Sequence, residues 1–261
     1  MKRSTMLATL AAAMLLAGTA ARADQLDDIM KSGKIRIATD LAIPPSGMID
    51  AAMKPTGSDV ETAELLAKDW GLQLEFVQTT GATRIPNVQT GKADIIISTL
   101  SVTPERAKVI DFSKPYAALQ SVVGCLKSLN VKSWDDLKGK TIAVSRGTTQ
   151  DTTLSSMKDR DLTLARFEDD ATMITAAVSG QADCVASSAT IVAQIGVKAP
   201  SRPFEPKVTI TNFDLAIGLK KGEPKLLEKL NTWVSENLKN GKLNAIYKKF
   251  HGTELPAEMR G

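Results

Sequence analysis

Short runs with β-strand character alternate with helical runs along most of this chain. The first unit has strand-like runs at 34–40 and 72–78, separated by a helical pattern at 57–71. Ser58 and Glu61 have the spacing of a capping box, which predicts that Ser58 caps this helix. Alternation of strands and helices is typical of a parallel sheet covered by helices, so the sequence predicts an α/β fold.

The same order of runs begins again about halfway along the chain. A strand within 136–150 and another at 163–167 are followed by a helical run at 171–180. The segments TGKADIIIS (90–98) and SGQADCVAS (179–187) close the two series, and Gly, Ala, Asp and Ser recur in them at matching places. We therefore predict two α/β lobes of similar topology.

The last part of the chain is too short to form a third lobe. A strand at 212–222 is followed by a helix at 223–241, whose apolar face consists of Leu226, Leu230, Trp233 and Leu238. We expect these elements to return to the first lobe. Lobe 1 then comprises residues 24–118 and 213–261, lobe 2 comprises residues 119–212, and two strands cross between the lobes.

The N-terminus has the organisation of a secretory signal peptide. Lys2 and Arg3 precede an apolar run at 6–16, and Ala21-Arg22-Ala23 forms a cleavage site. The apolar run is too short to cross a bilayer as a membrane helix. We predict that residues 1–23 are removed after Ala23 and that the protein is exported to the periplasm.

The charge of the processed chain argues against polyanionic partners. Removal of Lys2, Arg3 and Arg22 leaves 30 basic and 29 acidic side chains. Such a balance provides no electrostatic attraction to nucleic acid or to an anionic membrane surface. We expect a soluble monomer that binds neither.

Cysteine and histidine are scarce, which limits the metal chemistry available. Cys125 and Cys184 both lie in apolar, strand-like runs, and export would place them in an oxidising compartment. The pair forms either a disulfide or two buried thiols. With His251 as the only histidine beside two cysteines, the composition argues against a zinc site, and we expect neither a metal nor another cofactor.

Polar residues gather where the predicted strands end, which is the edge at which parallel sheets bind ligands. The segments there are TDLAIPPSG, STLSVTPER, SRGTTQ and ASSAT. They carry hydroxyls, backbone amides and an arginine, but no nucleophile paired with a base. This composition favours holding an anionic small molecule over transforming it.

The arginine of this group has an unusual position. Thr103 and Pro104 indicate a helix start, which places Arg106 in the first turn. A cation is unfavourable there because the helix dipole prefers negative charge. A bound anion would explain its position; the alternative is a surface ion pair with Glu105 or Asp111.

Residues 91–116, GKADIIISTLSVTPERAKVIDFSKPY, resemble the amino-acid-binding proteins of bacterial ABC importers, the solute-binding proteins of family 3. The segments KPTGSDVETAELLAKDWG, LKGKTIAVSRGTT and GKLNAIYKKFHGTELP fit the same family. The resemblance covers essentially the whole exported chain. It implies the type II periplasmic-binding-protein fold, in which two lobes joined by two hinge-crossing strands close on a ligand and deliver it to a membrane ABC permease.

The resemblance also implies roles for individual residues. Arg106 matches the arginine that grips the ligand's α-carboxylate. Thr99 and Ser101, with Ser98 beside them, match residues that offer backbone and hydroxyl hydrogen bonds. Thr149 matches the second-lobe amide that completes the carboxylate site.

This sequence departs from the family pattern at several places. Counting from Asp183, Ser188 stands where the family usually has the acidic residue that receives the ligand's ammonium. Ile43 and Gly81 stand where aromatic rings often contact the ligand. We therefore expect a roomier, less aromatic pocket with a poorly compensated ammonium.

Two further residues bear on the charge of the ligand. TRIPNVQTGKAD resembles the glutamate- and aspartate-binding branch, in which an arginine at the place of Arg84 reaches a side-chain carboxylate. Together with Arg106 this favours an acidic ligand, although Arg84 in a surface pair is the alternative. Asp40 either receives the ammonium or partners Arg84.

The sequence thus predicts a periplasmic solute-binding protein for an amino acid or related carboxylate. The alternative is a periplasmic dehydratase of the cyclohexadienyl or prephenate type on the same fold. A dehydratase needs an acid that protonates a leaving group. With Ser188 in the acidic position, Asp40 is the remaining candidate, so we expect no catalytic residues and no enzyme.

Overall fold

A computed structural model describes residues 24–260 of the chain, so the predicted signal peptide and its cleavage after Ala23 lie outside the described residues. The strands are β1 (Lys34–Thr39), β2 (Met48–Ile49), β3 (Pro55–Thr56), β4 (Gln73–Gln78), β5 (Ile95–Ile96), β6 (Asp111–Leu126), β7 (Thr141–Ser145), β8 (Thr163–Phe167), β9 (Cys184–Ser188) and β10 (Phe204–Leu219). The helices are α1 (Gln25–Ser32), α2 (Ser58–Asp69), α3 (Arg84–Gln89), α4 (Pro104–Ala107), α5 (Thr149–Ser156), α6 (Asp170–Ser179), α7 (Ala189–Lys198), α8 (Pro224–Lys239) and α9 (Lys242–His251).

Within residues 24–260, eight strands form one mixed sheet in the order β4-β1-β5-β10-β6-β9-β7-β8. Pairing is parallel among β4, β1 and β5, and again among β9, β7 and β8. The antiparallel pair β10 and β6 joins these two groups. We call the part built on β4, β1 and β5 the first half, and the part built on β9, β7 and β8 the second half. The predicted two-lobed α/β fold is confirmed.

The crossing strands are much longer than the others. β6 and β10 each have 16 residues and pair from Asp111 opposite Leu219 to Leu126 opposite Phe204. The lobe boundaries expected at 118/119 and 212/213 fall within them, where Leu119 is paired with Phe213. The boundaries themselves stay a prediction.

Each half has its own apolar core. In the first half, helices α1, α2 and α8 pack on the sheet. The core between them contains Ile37, Leu66, Ile95, Ile217, Leu226, Leu230 and Trp233. In the second half, apolar side chains pack on both faces of the sheet: Met173, Val185 and Ile191 on one face, and Ile142, Val144 and Leu154 on the other. Burial on both faces explains why these strands appear in the sequence as continuous apolar runs.

Helix α8 returns to the first half, as expected from its apolar face. Leu226, Leu230 and Trp233 are buried, and Trp233 Nε1 donates a 2.9 Å hydrogen bond to Asp69 Oδ2 at the end of α2. Leu238 is partly buried against the same core. Among residues 24–260, no helix combines the length and apolar character needed to span a membrane.

The capping-box prediction is wrong. Helix α2 begins at Ser58, and the residue before it is Gly57, at φ 127°. A Cβ on Gly57 would lie 2.2 Å from Ser46 O, so a close backbone approach determines the entry to this helix. The Ser58 hydroxyl instead contacts His251 Nε2 at 3.0 Å.

The two cysteines form a disulfide. Cys125 of β6 lies directly opposite Cys184 of β9, and their sulfur atoms are bonded. Both residues are buried. Of the two alternatives from the sequence, the structure therefore has the cross-strand disulfide. Within residues 24–260, no group of three or more histidine, cysteine or acidic side chains is arranged to hold a metal ion.

Candidate functional site

The two halves approach each other at the carboxyl ends of their parallel strands, across what we call the cleft. A Cβ on Gly81 in the first half would lie 2.8 Å from Arg146 O in the second. A Cβ on Gly147, which has φ 72°, would lie 2.6 Å from Ala82 Cα. Ile43, from the loop after β1, packs into the apolar cluster of the second half. The predicted site therefore lies between the two halves.

Arg106 spans the cleft. It follows Thr103 and Pro104, which start α4 as the sequence predicts, and the Thr103 hydroxyl accepts the Arg106 N–H at 3.3 Å. Arg106 Nη1 donates to Ser101 O at 2.9 Å within the first half. Arg106 Nη2 donates to Gly147 O in the second half at 3.1 Å. The guanidinium thus joins both sides of the cleft.

No carboxylate neutralises this guanidinium among the described residues. Neither Glu105 nor Asp111 pairs with Arg106; Asp111 forms its ion pair with Lys221, at 3.3 Å. Burial, helped by the like charge of Arg84, lowers the pKa of Arg106 to about 9. A partly buried cation with a lowered pKa and no anion is suited to bind one.

Ser98 connects the strand ends instead of presenting its hydroxyl to the cleft. Its side chain is fully buried, and its Oγ accepts a hydrogen bond from the Asp40 N–H at 3.1 Å. Its carbonyl accepts Arg84 Nη1 at 2.6 Å. Ser98 therefore fixes the two charged residues predicted to face the ligand.

Thr99 has a left-handed backbone conformation, with φ 46°, which non-glycine residues rarely adopt. Thr99 Oγ1 donates a 2.6 Å hydrogen bond to Asp59 Oδ2, and Tyr116 Oη donates a 2.8 Å hydrogen bond to Asp59 Oδ1. Asp59 is buried in the first turn of α2 and was not identified from the sequence. The one signal for Asp59 in the sequence was its position in GSDVETA, a segment that resembles the family.

Arg84 and Asp40 are buried, so the surface pair considered for Arg84 is excluded. Their exposed fractions are 4% and 2%. Asp40 Oδ1 accepts the Ala42 N–H at 2.9 Å. Within the described part of the chain, Asp40 Oδ2 and Arg84 Nε are buried and make no hydrogen bond. Burial raises the pKa of Asp40 to about 6, while the Ala42 N–H and the charge of Arg84 oppose that rise.

A second buried carboxylate, Asp170, was missed by the sequence analysis. It is the first residue of α6, directly after Asp169, whose carboxylate caps this helix by accepting the Thr172 N–H at 2.8 Å. Burial, followed by the charge of Asp40, raises the pKa of Asp170 to about 7, whereas Ser145 and Arg84 act in the opposite direction. The available signal was an acidic residue in the first turn of a helix that follows a predicted strand.

Thr149 and Ser188 lie at helix starts in the second half. Thr149 is the first residue of α5, so its backbone N–H belongs to the helix turn that lacks intrahelical acceptors. Ser188 caps α7, and its Oγ accepts the Ile191 N–H at 3.2 Å. Among the described residues, no hydrogen bond joins Thr149 or Ser188 to the predicted site residues of the first half.

Comparison with known proteins agrees with this geometry. Residues 35–253 match the bacterial extracellular solute-binding proteins, family 3. The glutamine-binding protein GlnH of an ABC transporter of Bacillus subtilis is 30% identical over 219 residues, which cover 82% of this chain and 77% of that protein.

Two solved structures resemble the fold closely. The ancestral amino acid-binding protein AncCDT-1, described as a precursor of cyclohexadienyl dehydratase, is 33% identical with a TM-score of 0.78, covering 87% of this chain and 99% of that chain. A solute receptor for L-cysteine from Neisseria gonorrhoeae is 31% identical with a TM-score of 0.81, and the match covers 86% of this chain and 92% of that chain. The chain therefore belongs to the bacterial extracellular solute-binding proteins of family 3.

Proposed function

We propose that this protein is exported to the periplasm, binds an amino acid between its two halves and delivers it to a membrane ABC permease. The names of its relatives support the amino-acid ligand, since they bind glutamine or L-cysteine or are described as amino acid-binding. The signal-peptide pattern at residues 1–23 supports export.

The observation that carries this proposal is the guanidinium of Arg106. Arginine has five N–H donors, and here the Ser101 and Gly147 carbonyls accept two of the possible hydrogen bonds. Donors therefore remain for a carboxylate, which would also neutralise the charge. Because Arg106 contacts both halves, a carboxylate bound here would favour their closed arrangement.

The remaining predicted residues have supporting roles in this proposal. Thr99 and Ser101 provide backbone groups beside Arg106, and Thr149 provides a first-turn amide from the second half. Ser98 holds Asp40 and Arg84 in place. Ser188 forms part of the wall, with its hydroxyl engaged in capping α7.

The charges around the cleft favour a zwitterion. Arg84 interacts with the charges of three buried carboxylates, Asp40, Asp59 and Asp170, and Arg106 adds a second cation, so a ligand with one carboxylate and one ammonium leaves the total charge of the group unchanged. A dicarboxylate without an amine would add two negative charges to a buried site, which is costly. We therefore propose a ligand that carries an ammonium; a contact between Arg84 and an acidic side chain of that ligand stays a prediction.

A thermal-shift screen tests this function. The twenty L-amino acids, L-cystine, dicarboxylates and 2-oxo acids would be added to the processed protein, and hits would be confirmed by calorimetry. A ligand at a hundred times its Kd stabilises the native state by about 2.7 kcal/mol, which gives a clear shift. We expect one or more amino acids to bind more tightly than their 2-oxo counterparts. If no amino acid binds, the proposed function is wrong.

A dehydratase is the second candidate, and Asp170 is the observation that favours it. A buried carboxyl with a pKa near 7 can deliver a proton at neutral pH. Likeness to AncCDT-1 adds support, although that protein is itself described as amino acid-binding. Incubation with prephenate, with detection of an aromatic product, separates the two functions. A product formed by the wild type but not by Asp170→Asn would establish the enzyme.

A further inference from the structure

An ammonium in the cleft needs an anion, and position 188 does not supply one. Ser188 is neutral, and its hydroxyl caps α7 through Ile191 and contacts Thr190 Oγ1 at 2.9 Å. If the ligand is a zwitterion, the negative charge that meets its ammonium must therefore come from another element. Asp170 is the buried acidic residue of the second half whose charge interacts with Asp40 across the cleft.

The placement of Asp170 follows from the sheet. Strands β7 and β8 are parallel and in register, with Ser145 opposite Phe167 at their carboxyl ends. Helix α6 starts shortly after β8, so Asp170 lies at the edge where Asp40 follows β1 in the first half. Asp170 is 4% exposed, and the charges of Asp40 and Arg84 both act on its pKa, as does a hydrogen bond from Ser145.

Unsatisfied polar atoms in this group indicate that a hydrogen-bonding ligand belongs there. Asp40 Oδ2 and Arg84 Nε are each buried without a hydrogen bond among residues 24–260. Buried polar atoms normally have partners, because leaving them unpaired costs free energy. An ammonium has three N–H donors and no acceptor, which suits carboxylate oxygens and not the arginine.

We propose that Asp170, together with Asp40, receives the ammonium of the bound amino acid, in the role that the family pattern gives to position 188. This inference rests on the proposed amino-acid-binding function. Arg84 interacts with the charges of Asp40, Asp170 and Asp59, and the ligand's ammonium brings further positive charge to Asp40 and Asp170. The ligand's carboxylate in turn neutralises Arg106. Each charge of the zwitterion then has an opposite charge within the cleft.

The inference predicts which ligands Asp170 distinguishes. An amino acid and the 2-hydroxy acid with the same side chain differ at the group that would contact Asp170. Removing one partner of a buried charge pair typically weakens binding by roughly 30- to 4,000-fold. Asp170→Asn should cause a loss in this range for the amino acid and a loss of less than about threefold for the hydroxy acid.

Asp169 offers a matched control in the adjacent position. Its carboxylate caps α6 through Thr172, and asparagine is an equally good cap residue. Asp169→Asn therefore removes one negative charge from the same loop while the helix start is retained. We expect it to change the affinity for both probes by less than about threefold.

The experiment is calorimetry on the full processed chain. The probes are the twenty L-amino acids, L-cystine and the 2-hydroxy acid matching each amino acid that binds; the proteins are wild type, Asp170→Asn and Asp169→Asn. The inference is wrong, with the proposed function intact, if Asp170→Asn lowers the affinities for the amino acid and the hydroxy acid equally. The same holds if Asp170→Asn lowers the affinity for the amino acid no more than Asp169→Asn does. If the wild type binds no amino acid, the proposed function falls and takes the inference with it. Melting curves of each variant establish that it is folded.

Discussion

Thr99 Oγ1 donates a 2.6 Å hydrogen bond to Asp59 Oδ2, which ties a residue of the cleft to the first turn of α2. The other oxygen of Asp59 accepts the Tyr116 hydroxyl at 2.8 Å. Thr99 has a left-handed backbone, which costs free energy unless its surroundings hold it. Asp59 thus stabilises the left-handed backbone conformation of Thr99.

Thr99→Val should weaken amino-acid binding by about tenfold, equivalent to about 1.4 kcal/mol, because it removes the hydroxyl that donates to Asp59 Oδ2 and leaves that buried oxygen without this partner. Tyr116→Phe is the control, since it removes the hydrogen bond on the opposite oxygen and leaves Thr99 untouched. We expect the control to lower the free energy of unfolding by about 1 kcal/mol with little change in affinity. Calorimetry and urea unfolding measure both. Equal affinity losses in the two variants would contradict a role specific to Thr99.

Arg106→Ala should weaken binding by about 2–5 kcal/mol, or roughly 30- to 4,000-fold, while the protein remains folded. The guanidinium lies in the cleft, so its removal leaves both apolar cores intact. Arg146→Ala is the matched control, because Arg146 precedes Gly147 in the opposite wall but pairs with Glu168 at 2.8 Å. Calorimetry that gives the same affinity for both variants would remove Arg106 from the site.

Gly147→Ala should weaken binding by at least about tenfold, or about 1.4 kcal/mol, because the added Cβ meets Ala82 and holds the two halves apart. Gly139→Ala is the control: its φ of 69° imposes the same backbone strain, but no atom lies within 4 Å of the new Cβ. We expect the control to lose only about 1 kcal/mol of unfolding free energy. In small-angle scattering, we expect the radius of gyration to fall when ligand is added to the wild type or to Gly139→Ala, but not when it is added to Gly147→Ala.

The buried carboxyls predict how stability changes with pH. On folding, the pKa of Asp40 rises from 3.8 to about 6, and the pKa of Asp170 rises from 3.8 to about 7. Between pH 3.8 and these folded-state pKa values, the folded state therefore binds more protons than the unfolded state. Their contribution to the unfolding free energy therefore falls as the pH rises from about 4 to about 7. His251 acts oppositely, because burial lowers its pKa to about 4 and its contribution is lost as the pH falls below about 6.5.

Comparison of Asp170→Asn with wild type at each pH isolates the carboxyl from His251. We expect the variant to gain stability relative to wild type at pH 8 and little at pH 4, because asparagine carries no charge to bury. Urea unfolding at pH 4, 6 and 8 measures the difference. A difference that is the same at every pH would show that Asp170 does not titrate in this range.

Export predicts the N-terminus of the mature protein. N-terminal sequencing of material from the periplasm should begin at Asp24, after removal of residues 1–23. Asp24 caps α1, since its Oδ1 accepts the Leu26 N–H at 3.0 Å, and its Oδ2 accepts the Lys225 N–H at 3.0 Å. Cleavage one residue later would remove this cap. Recovery of a cytoplasmic form that starts at Met1 would contradict export.

Local patterns predicted the short strands better than the long ones. The run at 163–167 corresponds to β8, because its neighbours in sequence contain clear turn residues. Strand β6 was not predicted as one element, since Lys114 and Pro115 interrupt its apolar pattern. Its continuity depends on pairing with β10, where register shifts around Ala216 accommodate the proline.

Local patterns predicted strand ends and helix starts, including the helix starts beside Arg106 and at Thr149, whereas the ligand-binding roles of these two residues stay predictions. Local patterns did not predict which of two adjacent acidic residues is buried. Asp169 and Asp170 are equivalent in sequence, but the first caps the helix and the second is buried. That difference depends on the rotation of α6 against the sheet, which no local pattern specifies.

Both ends of the described chain belong to the same half of the molecule. Ile29 of α1 and Leu255 after α9 are part of one apolar cluster, because the chain passes to the second half along β6 and returns along β10. Two fluorophores attached at the two ends would therefore lie on the same half and would not report the proposed closure of one half on the other. An optical sensor built on this protein needs one dye at an end and the other on an exposed second-half residue such as Val197.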